Sequence, residues 1–165
     1  MASEESPKPT PKARRSAARL AAVQGLYQIA QTGQDVERVL GEFVKYRFGG
    51  DMDGETYVTP DPALFGDIVR GTRKRQAEID RVIDEALRPP WSATRLELLL
   101  RIVLRAAVWE LLANPDAPAP IVIDEYVNLG HAFFSGSEPG MINGVLDRLA
   151  HLLRAEEFDR PAGER

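Results

Sequence analysis

One apolar segment, residues 96–111, constrains the fold more strongly than any other part of the sequence. Its apolar side chains recur at offsets of 0, 3, 4, 7, 8, 11 and 15 residues from Leu96, which is the period of an α-helix. Apart from a few charged residues, among them Glu110, this helix is apolar around its whole circumference. A helix of that kind has to be covered on all sides, so the sequence predicts a bundle with this segment at its centre.

Helical periodicity also marks the rest of the chain, and no stretch sustains the two-residue alternation of a β-strand. Further helices are expected over about residues 12–30, 35–46 and 141–154, and around residues 64–69, 79–87 and 123–133. Gly33 is expected to end the first helix, and Gly71 and Thr72 to separate the third from the fourth. Ser92 or Thr94 can cap the central helix. This succession predicts an all-α fold.

The length of 165 residues suits one domain with a substantial core. Residues 1–11 contain proline, serine and charged side chains without a periodic apolar position, which predicts a disordered N-terminal tail. We assign residues 12–154 to a single helical domain and residues 155–165 to a flexible C-terminal tail. The stretch "RFGGDMDGETYVTP" is expected to be a surface loop, because its glycine and acidic spacing does not match a calcium loop.

Composition argues against several classes of function. Cysteine is absent, and the two histidines, His131 and His151, lack metal-binding spacing, so we expect no metal, no cofactor and no enzymatic activity. No apolar run approaches the ~18 residues of a membrane span. The N-terminus carries acidic residues and prolines, unlike a secretory signal. We therefore expect a cytoplasmic protein without membrane association.

Positive charge is concentrated at the start of the first helix. Five Lys or Arg and two Glu give the first 19 residues a net charge of +3, whereas the whole chain has a net charge of -4. Cations at a helix N-terminus oppose the helix dipole, so a solvated helix start explains them poorly. Guanidinium groups bind phosphate and stack on unpaired bases. Arg15 and Arg19, one turn apart, are therefore expected to face outward and bind single-stranded nucleic acid.

Three segments in order along the chain carry a resemblance to a known family. These are "RRSAARLAAVQGLYQ" at 14–28, "LRAAVWELL" at 104–112 and "VIDEYVNLGHAFF…MINGVLDRLA" at 122–150. The first is similar to the opening helix of NusB, a bacterial transcription antitermination factor. The second and third resemble that family's "LRIAxYEL" and "xINEAxELAKxF…FINGVLDxxA" patterns. The match spans roughly Arg14 to Ala150.

The resemblance implies about seven helices in two small helical subdomains. It also implies an RNA-binding factor that pairs with the ribosomal protein NusE and binds boxA-type single-stranded RNA in rRNA operon leaders. NusA, NusG and RNA polymerase would complete the antitermination complex. Both a monomer and a homodimer are compatible with the resemblance.

The expected site residues follow from the arginine cluster and from the family patterns. Ser137, Glu138 and Met141 stand where the family carries acidic or aromatic residues. Asn143 either caps the last helix or presents a polar group to RNA, together with Asp147 one turn later. The candidate RNA-binding residues are Lys12, Arg14, Arg15, Arg19, Ser137, Glu138, Met141 and Asn143, and the candidate partner-binding residues are Tyr27, Arg101 and Arg105.

Two other functions fit the same pattern. One is a helical adaptor that binds only proteins. The other is an RNA-binding domain related to that of rRNA cytosine methyltransferases, which shares the helical fold. A second basic cluster, residues 70–75, is expected to be a solvated face balanced by nearby carboxylates. The alternatives are an extension of the RNA path and a contact to a protein partner.

Overall fold

The computed structural model describes residues 8–48, 58–92 and 95–158, and every regular element in these ranges is helical. The prediction of an all-α fold is confirmed. Eight helices rather than seven are present in the described ranges, because a single turn follows the expected last helix. They are α1 (Pro11–Thr32), α2 (Val36–Tyr46), α3 (Pro62–Lys74), α4 (Gln76–Ala86), α5 (Leu98–Ala113), α6 (Ala119–Phe133), α7 (Glu138–Leu153) and α8 (Ala155–Phe158).

Helix α5 is the central element of the bundle. It packs against α1, α3, α4, α6 and α7. Residues 102–111 of α5 are all buried, as the all-round apolar pattern predicts. Helices α1, α2 and α3 pack on one another, α4, α6 and α7 complete the other side, and the two groups share one hydrophobic core through α5. No helix within the described ranges is long and apolar enough to cross a membrane.

Parts of three sequence predictions fall outside the described residues. They concern residues 1–7 of the N-terminal tail, residues 49–57 of the expected surface loop, and residues 159–165 of the C-terminal tail. Thr94, one of the two proposed caps of the central helix, also lies outside them.

Helix α1 ends, and helix α2 begins, at residues whose local chemistry predicts these boundaries. Gly33 has φ 70°, a left-handed conformation that glycine adopts without steric penalty, and its N–H donates to the carbonyl of Ile29. Asp35 then caps α2 by accepting a hydrogen bond from the backbone N–H of Arg38. The short Gly33–Asp35 link therefore turns the chain back so that α2 packs on α1.

The break between α3 and α4 lies at Arg75 instead of at Gly71 and Thr72, which are both helical. The prediction was wrong because Gly71 serves packing, not helix termination. A Cβ atom at Gly71 would overlap the indole ring of Trp109 on α5. Glycine lets α3 approach α5 closely, and the helix keeps its hydrogen bonds across the position.

Replacement of Gly71 by alanine should destabilise the protein by about 1–3 kcal/mol, because the buried Trp109 ring has to move. Thermal unfolding followed by circular dichroism measures this. Gly41→Ala in α2 is the control, since a Cβ there contacts nothing within 4 Å and alanine favours the helix. Equal melting temperatures for the wild type and Gly71→Ala would contradict the close approach of α3 and α5.

The starts of α5 and α7 also differ from the sequence predictions. Helix α5 begins at Leu98 with Glu97 as its N-cap residue, so Ser92 lies too far upstream to cap it. Helix α7 begins at Glu138, three residues before the expected Met141. Asn143 is therefore an exposed residue within α7 and does not cap it. The buried Pro139 explains the earlier start, since proline fits the first turn of a helix.

The helical bundle continues past residue 154, where the sequence predicts a flexible tail. Arg154 is buried, and Glu157 in α8 accepts hydrogen bonds from its guanidinium group (2.6 Å) and from the backbone N–H of Ala119 (2.9 Å). Phe158 stacks on His151 with ring centroids 4.0 Å apart. These contacts join α8 to the start of α6 and to the end of α7.

Candidate nucleic-acid interface

The N-terminal half of α1 borders two adjoining depressions of about 560 and 590 Å³. The first lies between α1, the start of α3 and residues 114–118, and the second lies between α1 and α6. Lys12, Ile121 and Glu125 line both of them. We call the two depressions together the α1 groove.

Charges of both signs line the α1 groove. Lys12, Arg15 and Arg19 are its cationic residues, and five carboxylates face them. The groove is thus not the uniformly basic surface that the arginine cluster suggests, and its cations are interleaved with acids from α3, from the α5–α6 connection and from α6. The carboxylates are those of Asp61, Asp67, Asp116, Asp124 and Glu125.

Lys12 and Arg15 are available for a ligand. Both side chains are exposed, and neither has a hydrogen bond or ion pair with any residue in the described ranges. Arg14 is half-buried and differs from them, since its Nε donates to the carbonyl of Thr59 at 3.2 Å. The carbonyl of Arg14 accepts from the N–H of Asp61, so this residue helps to hold α1 against the start of α3.

Arg19 does not face outward, and the prediction that it does was wrong. It is only 2% exposed, and its Nε and Nη2 donate to the two carboxylate oxygens of Glu110 at 2.8 and 3.0 Å. Arg15 and Arg19 lie on the same side of α1, but one turn after Arg15 this side is covered by α5 and α6, which bury Arg19. Burial opposes the charged form, but the hydrogen bonds and charge of Glu110 outweigh it and raise the pKa of Arg19.

Glu110 is the centre of a buried polar cluster with Arg19, Asn114 and Tyr126, which we call the Glu110 cluster. The Tyr126 hydroxyl donates to Oε2 of Glu110 at 2.6 Å, and Asn114 Nδ2 donates to Oε1 at 2.9 Å. Burial, with the adjacent Glu110 charge, raises the pKa of the Tyr126 hydroxyl well above its ordinary value, which keeps it a donor. The cluster connects α1 and α6 to α5. The sequence signal for this cluster is Glu110 itself, because a carboxylate inside an otherwise apolar helix needs a buried hydrogen-bonding or charged partner.

Glu125 on α6 lies between the Glu110 cluster and the groove. One of its oxygens accepts a hydrogen bond from the Ser16 hydroxyl at 2.8 Å. Its other oxygen lies 3.8 Å from Nη1 of Arg19, and its side chain is 16% exposed. Arg19 therefore lines the groove with a side chain that is almost entirely buried and not with an extended cation.

The structure separates the α7 candidates from the α1 groove, since none of them lines either depression. Ser137 and Asn143 are exposed and Glu138 is half-buried. Met141 is 9% exposed and belongs to the hydrophobic core, so it has no free face on which a base could stack. The assignment of Met141 as an RNA contact was wrong, because it faces the inner side of α7 together with Ile142.

The partner-binding candidates differ in exposure. Tyr27 is 38% exposed, and its hydroxyl accepts a hydrogen bond from Gln31. Arg101 is half-buried and donates to the carbonyl of Leu96. Arg105 is 8% exposed, and its guanidinium group binds both oxygens of Asp80 at 2.7 and 3.0 Å. The assignment of Arg105 to a partner surface was therefore wrong, since it links α5 to α4.

The second basic cluster forms ion pairs on the protein surface. Arg70 donates to both oxygens of Glu37 on α2, and Arg75 donates to both oxygens of Glu78. The hydrogen bonds from Arg70 lower the pKa of Glu37. Arg73 donates to Gln76. These contacts agree with a solvated, charge-balanced face.

A family model described as the NusB family matches residues 16–151. The chain belongs to the NusB family. Transcription antitermination protein NusB of Bradyrhizobium sp. strain BTAi1 is 46% identical over 145 residues, covering 88% of this chain and 86% of that protein. The corresponding NusB of Rhodopseudomonas palustris strain BisB18 is 42% identical over 158 residues, covering 93% of this chain and 94% of that protein.

Solved NusB structures share the fold. Thermotoga maritima NusB superposes with a TM-score of 0.71 at 28% identity, covering 92% of this chain and 99% of that one. A chain in the crystal structure of antitermination factors NusB and NusE in complex with dsRNA gives a TM-score of 0.69 at 22% identity, covering 87% of this chain and 99% of that one. At that identity the second comparison shows the fold alone.

NusB membership decides between the broad classes of function. The NusB relatives are transcription antitermination proteins, and the matches cover 86% and 94% of their length. The chain is therefore a transcription antitermination factor.

Proposed function

We propose that this NusB-family factor binds boxA-type single-stranded RNA of rRNA operon leaders through the α1 groove, together with a NusE-type ribosomal protein. The observation that carries the proposal is the exposure of Lys12 and Arg15 on one groove wall without partners among the described residues. The NusB fold also occurs in a crystal structure with NusE and dsRNA, which supports both kinds of partner.

The small number of available cations explains why a second protein is needed. Each phosphate neutralised on single-stranded RNA contributes a slope of about -0.7 to the dependence of log K on log salt. Two exposed cations therefore provide modest affinity and, because phosphate contacts carry no sequence information, little choice of sequence. A partner that supplies further base-reading surface would give the complex its specificity.

The acidic body of the protein suits a basic ribosomal partner. The whole chain has a net charge of -4, although its first 19 residues are basic. Opposite net charges accelerate and orient the association of two proteins. The exposed ring of Tyr27 is our candidate contact for this partner, since aromatic residues are enriched at protein interfaces. Arg101 stays a candidate beside it.

We place the RNA-bound pair in a larger cytoplasmic complex with NusA, NusG and RNA polymerase. Antitermination requires contact with the transcribing enzyme, and family membership supports this role. The exposed Ser137 and Asn143 at the start of α7, together with Glu138, are proposed as a second polar surface for RNA or for these proteins. Both a monomer and a homodimer stay compatible with the unbound state.

Arg15→Glu should weaken binding of boxA-type RNA to the complex with the NusE-type partner by about tenfold, because the change removes one phosphate contact and adds repulsion. Fluorescence anisotropy at several salt concentrations measures both affinity and salt slope. Arg81→Glu is the matched control, since Arg81 is exposed on α4 and does not line the groove.

Unchanged RNA affinity in Arg15→Glu would refute the assignment of the α1 groove. Equal RNA affinity of the wild-type chain with and without the NusE-type partner would refute the two-protein mechanism. Binding of the protein partner with no RNA binding under any condition would instead support the adaptor function.

A further inference from the structure

Glu125 occupies the position in the α1 groove where an RNA phosphate would find its donors. The Ser16 hydroxyl donates to one oxygen of Glu125 at 2.8 Å, and the Arg19 guanidinium lies 3.8 Å from the other. Lys12 lines the same two depressions. A hydroxyl, a guanidinium nitrogen and an ammonium group are the donors that phosphate oxygens accept from in proteins.

The contact between Arg19 and Glu125 is weaker than the contact between Arg19 and Glu110. Glu110 accepts from Nε and Nη2 of Arg19 within 3.0 Å, whereas Glu125 lies 3.8 Å from Nη1, beyond hydrogen-bonding distance. Glu110 is fully buried, while the Glu125 side chain keeps 16% of its surface exposed. Glu125 can therefore move away from Nη1 without disturbing the buried pair.

We propose that Glu125 is a built-in competitor for phosphate in the α1 groove and limits its affinity for RNA. The inference rests on the proposed RNA-binding function. A phosphate that enters the groove must displace Glu125 from Ser16 and Arg19 or bind beside its negative charge. RNA held by additional contacts, as in the complex with the protein partner, overcomes this repulsion, whereas RNA held only through its backbone does not.

The test is Glu125→Gln, which removes the negative charge and retains an oxygen that accepts from Ser16. The two hydrogen bonds from Arg19 to Glu110 remain. The Glu125 carboxylate and an RNA phosphate about 6 Å apart repel each other in this partly exposed groove. Removing this repulsion should tighten RNA binding about fivefold. The salt slope should steepen by about 0.7, because Arg19 Nη1 becomes available to one phosphate.

The measurement uses the full chain, alone and with the NusE-type partner, against boxA-type RNA and a scrambled single strand of equal length. The gain should be larger for the scrambled strand, because its binding depends more on backbone contacts. Asp124→Asn is the matched control. Asp124 precedes Glu125 in α6 and lines the groove, and its side chain has no hydrogen bond or ion pair with any described residue. This replacement removes the same charge but leaves the contact between Glu125 and Arg19 Nη1 in place.

A second measurement does not depend on RNA. Titration with inorganic phosphate, followed through the NMR signals of Ser16 and Arg19, should saturate at a lower phosphate concentration in Glu125→Gln than in the wild type. Equal responses in both proteins would overturn the competitor role.

The outcomes separate this inference from the proposed function. Equal gains in Glu125→Gln and Asp124→Asn would show a general charge effect and overturn the inference. Weaker RNA binding in Glu125→Gln would show that Glu125 positions the donors instead of competing for their ligands. Absence of RNA binding by the wild-type complex would refute the proposed function, and the phosphate titration would still decide whether Glu125 competes for an anion.

Discussion

Replacing Glu110 by glutamine is expected to lower the free energy of unfolding by about 3–5 kcal/mol, the usual consequence of breaking a buried ion pair. All four contacts to the Glu110 carboxylate come from donors: Arg19 Nε, Arg19 Nη2, the Tyr126 hydroxyl and Asn114 Nδ2. A glutamine amide has a single oxygen, so its NH₂ group must face donors, and the Arg19 charge loses its buried partner. For a chain of this size the melting temperature should fall by roughly 10 °C.

The matched control for this change is Glu37→Gln. Glu37 also accepts two hydrogen bonds from one guanidinium group, that of Arg70, but both side chains are more than half exposed. Water and salt screen this pair, so the melting temperature should barely change. A double replacement, Arg19→Met with Glu110→Leu, should recover part of the stability, because neither charge then remains buried alone. A fully stable Glu110→Gln variant would contradict the structural role of the cluster.

Replacing Arg154 by alanine is expected to destabilise the protein by about 3 kcal/mol, because the carbonyl groups of Leu111 and Ala117 then have no donor among the described residues. The Arg154 guanidinium donates to the carbonyl oxygens of Glu110, Leu111, Asn114 and Ala117 at 2.7–3.1 Å. The last carbonyls of a helix have no partners within it, so Arg154 completes the C-terminal end of α5. Denaturant unfolding followed by circular dichroism measures the loss.

Two further variants identify the cause of this effect. Arg154→Lys keeps the positive charge near the helix C-terminus but concentrates its donors on one nitrogen, so we expect more than half of the loss to remain. Arg81→Ala removes an exposed arginine from α4 and should leave the unfolding free energy close to that of the wild type. If Arg154→Lys were as stable as the wild type, charge and not hydrogen bonding would explain the role of Arg154.

The two arginines that the sequence pairs, Arg15 and Arg19, have opposite roles in the structure. Arg15 is exposed on the groove wall, while Arg19 is buried on Glu110. RNA binding is therefore proposed to rest on fewer free cations than the sequence indicates. Arg19 acts mainly by holding α1 in place, which positions Lys12 and Arg15 beside α6.

Errors in the sequence predictions concentrate where side chains of different helices meet. Gly71 suggests a helix break, but it provides space for Trp109. Met141 suggests a replacement for a surface aromatic residue, but it packs in the core. Arg105 suggests a partner contact, but it pairs with Asp80. In each case the chemical properties of the residue allow both roles, and a side chain that packs against it from another helix decides between them.

By itself the sequence determined the all-α class, the central position of the segment at residues 96–111 and the resemblance to the NusB family. These features depend on local periodicity and on the order of short patterns, which are present in the chain before it folds. Only the tertiary structure decided which cations are free. Arg15 and Arg19 have the same chemistry and lie on the same side of α1. Helices α5 and α6 cross α1 at Arg19 and bury it, whereas Arg15 stays in solvent.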